Sequence, residues 1–248
     1  MMLNGSLHDD IYAAMRQALI AGELVPGQAF SMRTLADQFG TSLIPVRDAL
    51  KRLVAERGLA VLPNRTVCVP LMGRQRFQEL LQVRLSLEPS LARRAAELIS
   101  HQGITALDKI NEEMQAAVGR DDVKAYLGAN YCFHFQLYAA AQSTVALPIV
   151  KSLWMQVGPF LNGVFMERGT ANAKDNHAEV LKALRRRDAM GAAAAIARDL
   201  TDAADVILAA VEFVTDGEAA DAGGGPADKL ESRTARPFSR LATSREAG

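Results

Sequence analysis

Apolar residues recur at helical spacing along most of this chain, and the exceptions lie near its beginning. Ile11, Met15, Ala18 and Leu19 form one stripe, which predicts a first helix ended by Gly22. Pro26-Gly27 predicts a turn. Ser31 is placed to cap a second helix carrying Leu35, Ala36 and Phe39. Gly40 breaks that helix, and Thr41 or Ser42 caps a third, with Pro45 in its first turn and Val46, Leu50 and Leu53 facing inward. Gly58 ends the third helix. Residues 59–62 and 66–70 then predict two short strands around the turn Pro63-Asn64-Arg65.

From Gly73 the pattern is almost purely helical. Six helices are expected, at roughly 73–100, 104–119, 121–142, 145–166, 171–187 and 190–214. After Thr215 the composition turns to Gly, Ala and charged residues that bury too little apolar surface to offset chain entropy. The expected organisation is a mixed N-terminal domain over 1–72, an all-α helical bundle over 73–216 and a disordered tail over 217–248.

Composition narrows the function classes. Hydrophobic residues make up 49% of 248 positions, enough for packed cores. No run approaches the roughly 20 apolar residues of a membrane span, and the first residues carry no secretory pattern. Cys68 and Cys132 lack metal-type spacing and read as free thiols, which suits a cytoplasmic protein with no membrane partner. Net charge is zero, which by itself argues against a nucleic-acid binder. Locally, Arg47, Lys51, Arg52, Arg57 and Arg65 face only Asp48 and Glu56, a net +3 between Ile44 and Arg65. An ordinary solvated helix face carries such a charge too, so charge leaves the question open.

Spacing is more informative. Ala36 is small where two helices must approach, Gly40 follows where the chain needs a left-handed backbone, and Val46 supplies a core contact from the next helix. These offsets predict the tight turn of a helix-turn-helix. Its second helix enters a major groove N-terminus first, presenting Arg47, Lys51 and Arg52, while the hairpin bearing Arg65 forms a wing. The alternative is a small helical subdomain with a hairpin.

The bundle carries misplaced polar residues. Arg84 and Glu88 fall on the stripe of Phe77, Leu80, Leu81, Leu91 and Ala95. Asn130 and His134 share the face of Tyr126, Phe133, Leu137 and Ala141. His177 continues the stripe of Val180, Leu181 and Leu184. Asp199 lies in line with Ala192, Ile196, Ala203 and Val206. His177 and Asp199 are equidistant from a turn near Asp188, so an antiparallel hairpin brings them level. Together these residues predict one polar site inside the bundle. Taken singly, each is also compatible with a hydrogen-bonded core residue.

The stretch from Ile20 to Val69 resembles the winged helix of GntR-family regulators, through Gly22-Glu23-Leu24-Val25-Pro26-Gly27, Leu35-Ala36-Asp37-Gln38-Phe39-Gly40-Thr41-Ser42 and Pro45-Val46-Arg47-Asp48-Ala49-Leu50-Lys51-Arg52-Leu53. The resemblance implies that Arg33 and Arg47 contact DNA, with Asn64 and Arg65 at the wing tip. With Thr41, Ser42, Lys51 and Arg52 these make the expected DNA surface. Two residues depart from the family pattern: Leu43 stands where an Arg is usual, and Thr66 where a Gly is usual.

The second zone resembles the FCD ligand-binding domain of the FadR subfamily, in its six-helix VanR-like branch. Val83-Arg84-Leu85-Ser86-Leu87-Glu88, Asn130-Tyr131-Cys132-Phe133-His134, His177-Ala178-Glu179-Val180-Leu181-Lys182-Ala183-Leu184 and Ile196-Ala197-Arg198-Asp199-Leu200 carry the likeness. It implies a divalent metal (Zn, Ni, Mn or Fe) at Asn130, His134, His177 and Asp199, with Asn and Asp replacing the family's Asp and third His. It also implies an organic-acid effector near Arg84 and Glu88. A metal-free site that binds ligand directly is the alternative.

The expected function is a homodimeric transcription regulator, of the repressor type, whose operator affinity a small organic acid controls. Two other classes compete: a non-haem metalloenzyme using His134, His177 and Asp199, and a ligand-binding protein with degenerate DNA binding.

Overall fold

The computed structural model describes residues 7–62, 66–168 and 175–215, with backbone only at 162–163 and 166–168. The tail over 217–248 and the turn Pro63-Asn64-Arg65 lie outside the described residues. The N-terminal part comprises α1 (Leu7–Ile20), β1 (Ala29–Phe30), α2 (Met32–Phe39), α3 (Leu43–Ala55), β2 (Ala60–Val61) and β3 (Val67–Cys68). Ile11, Met15, Ala18 and Leu19 of α1 and Val46, Ala49, Leu50 and Leu53 of α3 are all buried. Their stripes face each other and, with Leu35 and Ala36 of α2, form a three-helix core.

Local chemistry sets the turn. Ser31 caps α2 by accepting from the Thr34 amide at 3.0 Å. Gly40 ends it at φ 61°, ψ 40°, a left-handed conformation. Ser42 takes the N-cap position of α3 but makes no side-chain cap bond.

Three strands form an antiparallel sheet in the order β1-β3-β2, with Ala29 and Ala60 both opposite Cys68. The two hairpin strands match expectation; β1, only two residues long, has no periodic pattern from which it could be read.

Six helices follow: α4 (Arg74–Leu98), α5 (His101–Gly119), α6 (Val123–Ala140), α7 (Ala146–Arg168), α8 (Asn176–Arg185) and α9 (Ala189–Ala210). Asp122, Asp175 and Asp188 cap α6, α8 and α9 through their carboxylates. The last helix stops short of the expected 214. Phe213 instead leaves helical geometry to pack 5.6 Å from the Phe77 ring, and Val214 bridges to Gly73. Val206, expected inward, is 38% exposed; Leu200, Ala204 and Ile207 carry the buried face of α9.

The apolar core runs unbroken from the N-terminal part into the bundle. Helix α7 makes the join. Ser152 donates to the Glu56 carbonyl at 3.3 Å, and Met155 packs on Gly58 so closely that a Cβ there would meet its sulfur at 2.6 Å. At Gly158 a Cβ would lie 2.5 Å from the Leu19 carbonyl oxygen, a contact with backbone that no rotamer change relieves. Gly158→Val is therefore expected to destabilise the protein by about 1–3 kcal/mol through overpacking, a loss measurable by urea unfolding. A neutral result would mean that α1 and α7 can separate without cost.

Candidate functional site

The expected DNA-facing surface is largely open to solvent. Arg33, Ser42, Arg47 and Lys51 are exposed, and Thr41 is half-buried between α2 and α3. Arg47 lies 3.8 Å from Asp48. The first turn of α3 begins with two exposed apolar side chains, Leu43 and Ile44. Asn64 and Arg65 lie outside the described residues.

Arg52 is placed differently from its neighbours. Its guanidinium stacks 3.7 Å from the Tyr12 ring centroid, and its Nε lies 3.2 Å from Glu56. Tyr12 donates to the same Glu56 carboxylate at 2.7 Å. Arg52 is exposed, as helical periodicity predicts, and its guanidinium also rests on the aromatic ring of α1. Arg52→Ala should thus lower thermal stability more than it lowers DNA affinity. Paired melting and gel-shift measurements would reveal the opposite ranking if Arg52 were mainly a DNA contact.

In the bundle, α4, α6, α7, α8 and α9 bring a polar cluster into an apolar interior. Glu88 is fully buried and accepts from three directions. Arg84 Nε donates to its Oε1 at 2.6 Å, while Tyr138 Oη and Trp154 Nε1 donate to its Oε2 at 2.7 and 2.9 Å. Arg84 also lies 4.8 Å from the Trp154 ring centroid. A buried ion pair needs this saturation of its lone pairs to offset desolvation. Neither Tyr138 nor Trp154 was singled out from sequence, because an aromatic on an apolar helix face looks like core.

Tyr138 carries the network onward, its Oη lying 2.9 Å from His134 Nδ1. Beyond the ring, His134 Nε2 lies 3.2 Å from His177 Nε2 and 3.2 Å from Asp199 Oδ2. His177 Nε2 lies 3.9 Å from Asp199 Oδ1. The hairpin register inferred from the 177–199 spacing is thus found. His134 and His177 are buried, and Asp199 keeps 15% of its side chain exposed. Asn130, one turn before His134 on α6, is half-buried.

Electrostatics separates the roles. Burial lowers His177 to about 4, against the pull of Asp199, so its imidazole is neutral at pH 7. Burial alone would raise Asp199, but His177, His134 and Arg84 together hold it at about 2, so it is ionised. Burial and the Glu88 carboxylate push the Tyr138 hydroxyl well above its ordinary value, so it remains a donor.

Tyr138 spends its proton on Glu88, so His134 Nδ1–H donates to the Tyr138 oxygen. In a neutral His134 the Nε2 then carries a lone pair, and it points at a carboxylate that can only accept. The His177 Nε2–H can donate to that lone pair at 3.2 Å, which leaves the carboxylate beside it unmatched; a divalent cation among the three groups would match all of them. All three donor atoms lie within 4.8 Å of one another. Their shorter separations approach the roughly 3.3 Å between ligands held tetrahedrally at 2.0–2.1 Å.

The polar residues expected to form one site fall into two groups joined by hydrogen bonds. Arg84 fronts a void of about 10 Å³ with Phe77, Leu81, Leu161 and Ala204, room for a single water at most. The histidines meet elsewhere in the packed interior, connected to Arg84 through Glu88 and Tyr138. A cleft of about 320 Å³ lies instead between the sheet and α7, with Arg57, Arg76 and Met155 among its walls.

Residues 7–69 match the bacterial regulatory proteins of the gntR family, and residues 79–202 match the FCD domain. The chain belongs to the GntR family. It combines the family's DNA-binding helix-turn-helix with an FCD domain, and it is a transcription regulator. The HTH-type transcriptional regulator McbR of Escherichia coli K12 is 28% identical over 180 residues, covering 71% of this chain and 81% of that protein. The gluconate operon transcriptional repressor of Bacillus subtilis 168 is 23% identical, covering 70% and 74%. The solved structure of E. coli McbR/YncC superposes with a TM-score of 0.78 at 26% identity, over 82% of this chain and 97% of that one. A GntR regulator structure from Rhodococcus sp. RHA1 shares the fold, with a TM-score of 0.70 at 20% identity over 84% and 100%. These relatives are regulators, not enzymes, which removes the metalloenzyme reading. No helix among the described residues is long and apolar enough to cross a membrane.

Because Tyr138 stands between two buried acceptors and donors, Tyr138→Phe should cost about 1–3 kcal/mol by stranding Glu88 and His134. Denaturant unfolding checks this; an unchanged midpoint would mean water replaces the hydroxyl.

Proposed function

We propose that this regulator acts as a homodimeric repressor, binding operator DNA through α3 and the hairpin and releasing it when a small organic acid binds the helical domain. The working division is a DNA-binding unit over 1–72, a sensing and dimerising unit over 73–216 and a dispensable tail over 217–248. A protein that binds operator DNA works where that DNA is, in the cytoplasm. Arg33, Arg47 and Lys51, with Thr41 and Ser42 at the helix start and Asn64 and Arg65 in the wing, make the DNA contacts. Arg52 is exposed on the same helix and also braces α3 against α1. Two recognition helices on paired half-sites require a dimer.

The observation that carries the sensing half is the convergence of His134, His177 and Asp199. Two neutral-capable imidazoles and one ionised carboxylate, backed by the Glu88–Tyr138 support for His134, suit a divalent ion of borderline softness such as Zn, Ni, Mn or Fe. Asn130 is the nearby neutral oxygen. Such an ion would supply a positive centre for a carboxylate ligand. Arg84 has five N–H donors, of which Glu88 takes those on Nε and Nη2, so it retains capacity for an anion. The void beside it is too small for an organic acid, so binding requires the bundle to open there.

Two measurements test this reading. Arg47→Ala should weaken operator binding by about 1–3 kcal/mol while leaving fold and dimer intact; retained affinity would defeat the docking geometry. Metal analysis of protein purified without chelator or metal-affinity tag should find about one ion per chain, lost in His134→Ala. A metal-free protein with an unchanged effector response would remove the ion and leave the polar groups to bind ligand directly.

A further inference from the structure

The outward face of α3 begins with an apolar pair. Leu43 is 53% exposed and Ile44 63% exposed, and they are the first two residues of the helix. Neither supports the core, which takes Val46, Ala49, Leu50 and Leu53 from this helix. Adjacent branched aliphatics in water carry a standing cost that burial against a partner would remove.

Helical register shows what surrounds them. Leu43 lies one turn before Arg47, Ile44 lies one turn before Asp48, and Lys51 lies one turn beyond Arg47. The apolar pair therefore leads the face on which the exposed cations stand, with Arg33 of α2 also exposed nearby in the chain. Cations beside a leading helix end favour a polyanion over a second apolar surface. In the major groove the apolar group that a base edge presents is the C5 methyl of thymine. Leu43 and Ile44 carry no side-chain donor or acceptor, so they read no other base feature by hydrogen bonding.

We propose that Leu43 and Ile44 pack against thymine methyl groups in the operator and set the sequence preference of this chain next to the base step that Arg47 contacts. This rests on the reading that α3 enters the major groove. An Arg there could read guanine through two acceptors, whereas Leu43 can read only a methyl, so T is preferred over G at that position. The discrimination is modest per contact: removing one buried methyl corresponds to about a fourfold loss of affinity.

The test begins by selecting binding sites from random duplex DNA with the full-length protein. Each thymine of the selected half-site is then replaced by deoxyuridine, which keeps pairing and the O4 acceptor but lacks the methyl. Uracil at one or two steps beside the Arg47 position should weaken binding about fourfold each. Leu43→Ala and Ile44→Ala should lose a similar factor on the thymine duplex and almost none on the matching uracil duplex. Both side chains are exposed, so the substitutions leave folding intact, which circular dichroism checks. Equal losses on both duplexes, or affinity indifferent to uracil throughout the site, would overturn the proposal. Arg47→Ala separates the two levels. If it abolishes binding while uracil has no effect, only the methyl reading fails. If it changes nothing, or no site is selected, groove docking fails and this inference falls with it.

Discussion

A buried carboxylate organises the bundle. Glu88 has no exposed surface, yet it accepts from an arginine, a tyrosine and a tryptophan on three helices. Removing such a charge from water costs several kcal/mol, and the cost is offset only while every partner keeps its geometry. Arg84 comes from the same helix one turn earlier, Tyr138 from α6 and Trp154 from α7, so the requirement fixes the positions of three helices at once. It also determines which nitrogen of His134 bears the proton facing Tyr138, and hence which faces His177 and Asp199. The chemistry of the candidate metal site is thus set from outside its ligands.

The same helix that closes the Glu88 network also carries the DNA-binding part. Trp154 donates to Glu88, and the next residue, Met155, packs on Gly58 just beyond α3. Ser152 bonds the Glu56 carbonyl, and Gly158 lies against the end of α1. Any shift of Trp154 that follows a change at Glu88 must move Met155, one residue away on a rigid helix. A densely packed interior transmits such displacements instead of absorbing them. The continuous core across the two parts gives this path its physical basis.

Much of this was legible in the amino-acid order. The Ala36-Gly40-Val46 spacing announced the helix-turn-helix because only a left-handed glycine between a small residue and an aliphatic closes that turn. Arg84 and Glu88 were visible because charges on an apolar stripe break a pattern. His177 and Asp199 were brought together by counting from their shared turn. What stayed hidden had no pattern to break. Tyr138 and Trp154 resemble ordinary core aromatics until their polar atoms are seen pointing at Glu88. Arg52 is exposed as its periodicity predicts, but its stacking on Tyr12, from a different helix, left no trace in the pattern. The continuity of the core has no local signal, because Gly58 and Gly158 mark close approaches whose partners lie about a hundred residues away or more. The tightness of the Arg84 void was equally hidden, since its volume depends on how α4, α7 and α9 meet.

That tightness shapes how sensing can work. An anion that reaches Arg84 meets a guanidinium already bonded to Glu88 and stacked on Trp154. Contacts that merely add to this arrangement, leaving every partner in place, would bind without shifting any equilibrium, since a ligand moves a protein only by its differential affinity for two states. Contacts that draw Arg84 away from Glu88 have a different consequence. The carboxylate then keeps only Tyr138 and Trp154 as donors, and its uncompensated charge favours rearrangement of the helices that hold it. One of those helices is α7, which bears directly on the DNA-binding part. An anion that bound at Arg84 would therefore gain its leverage over DNA binding through the same desolvation cost that makes Glu88 expensive to bury.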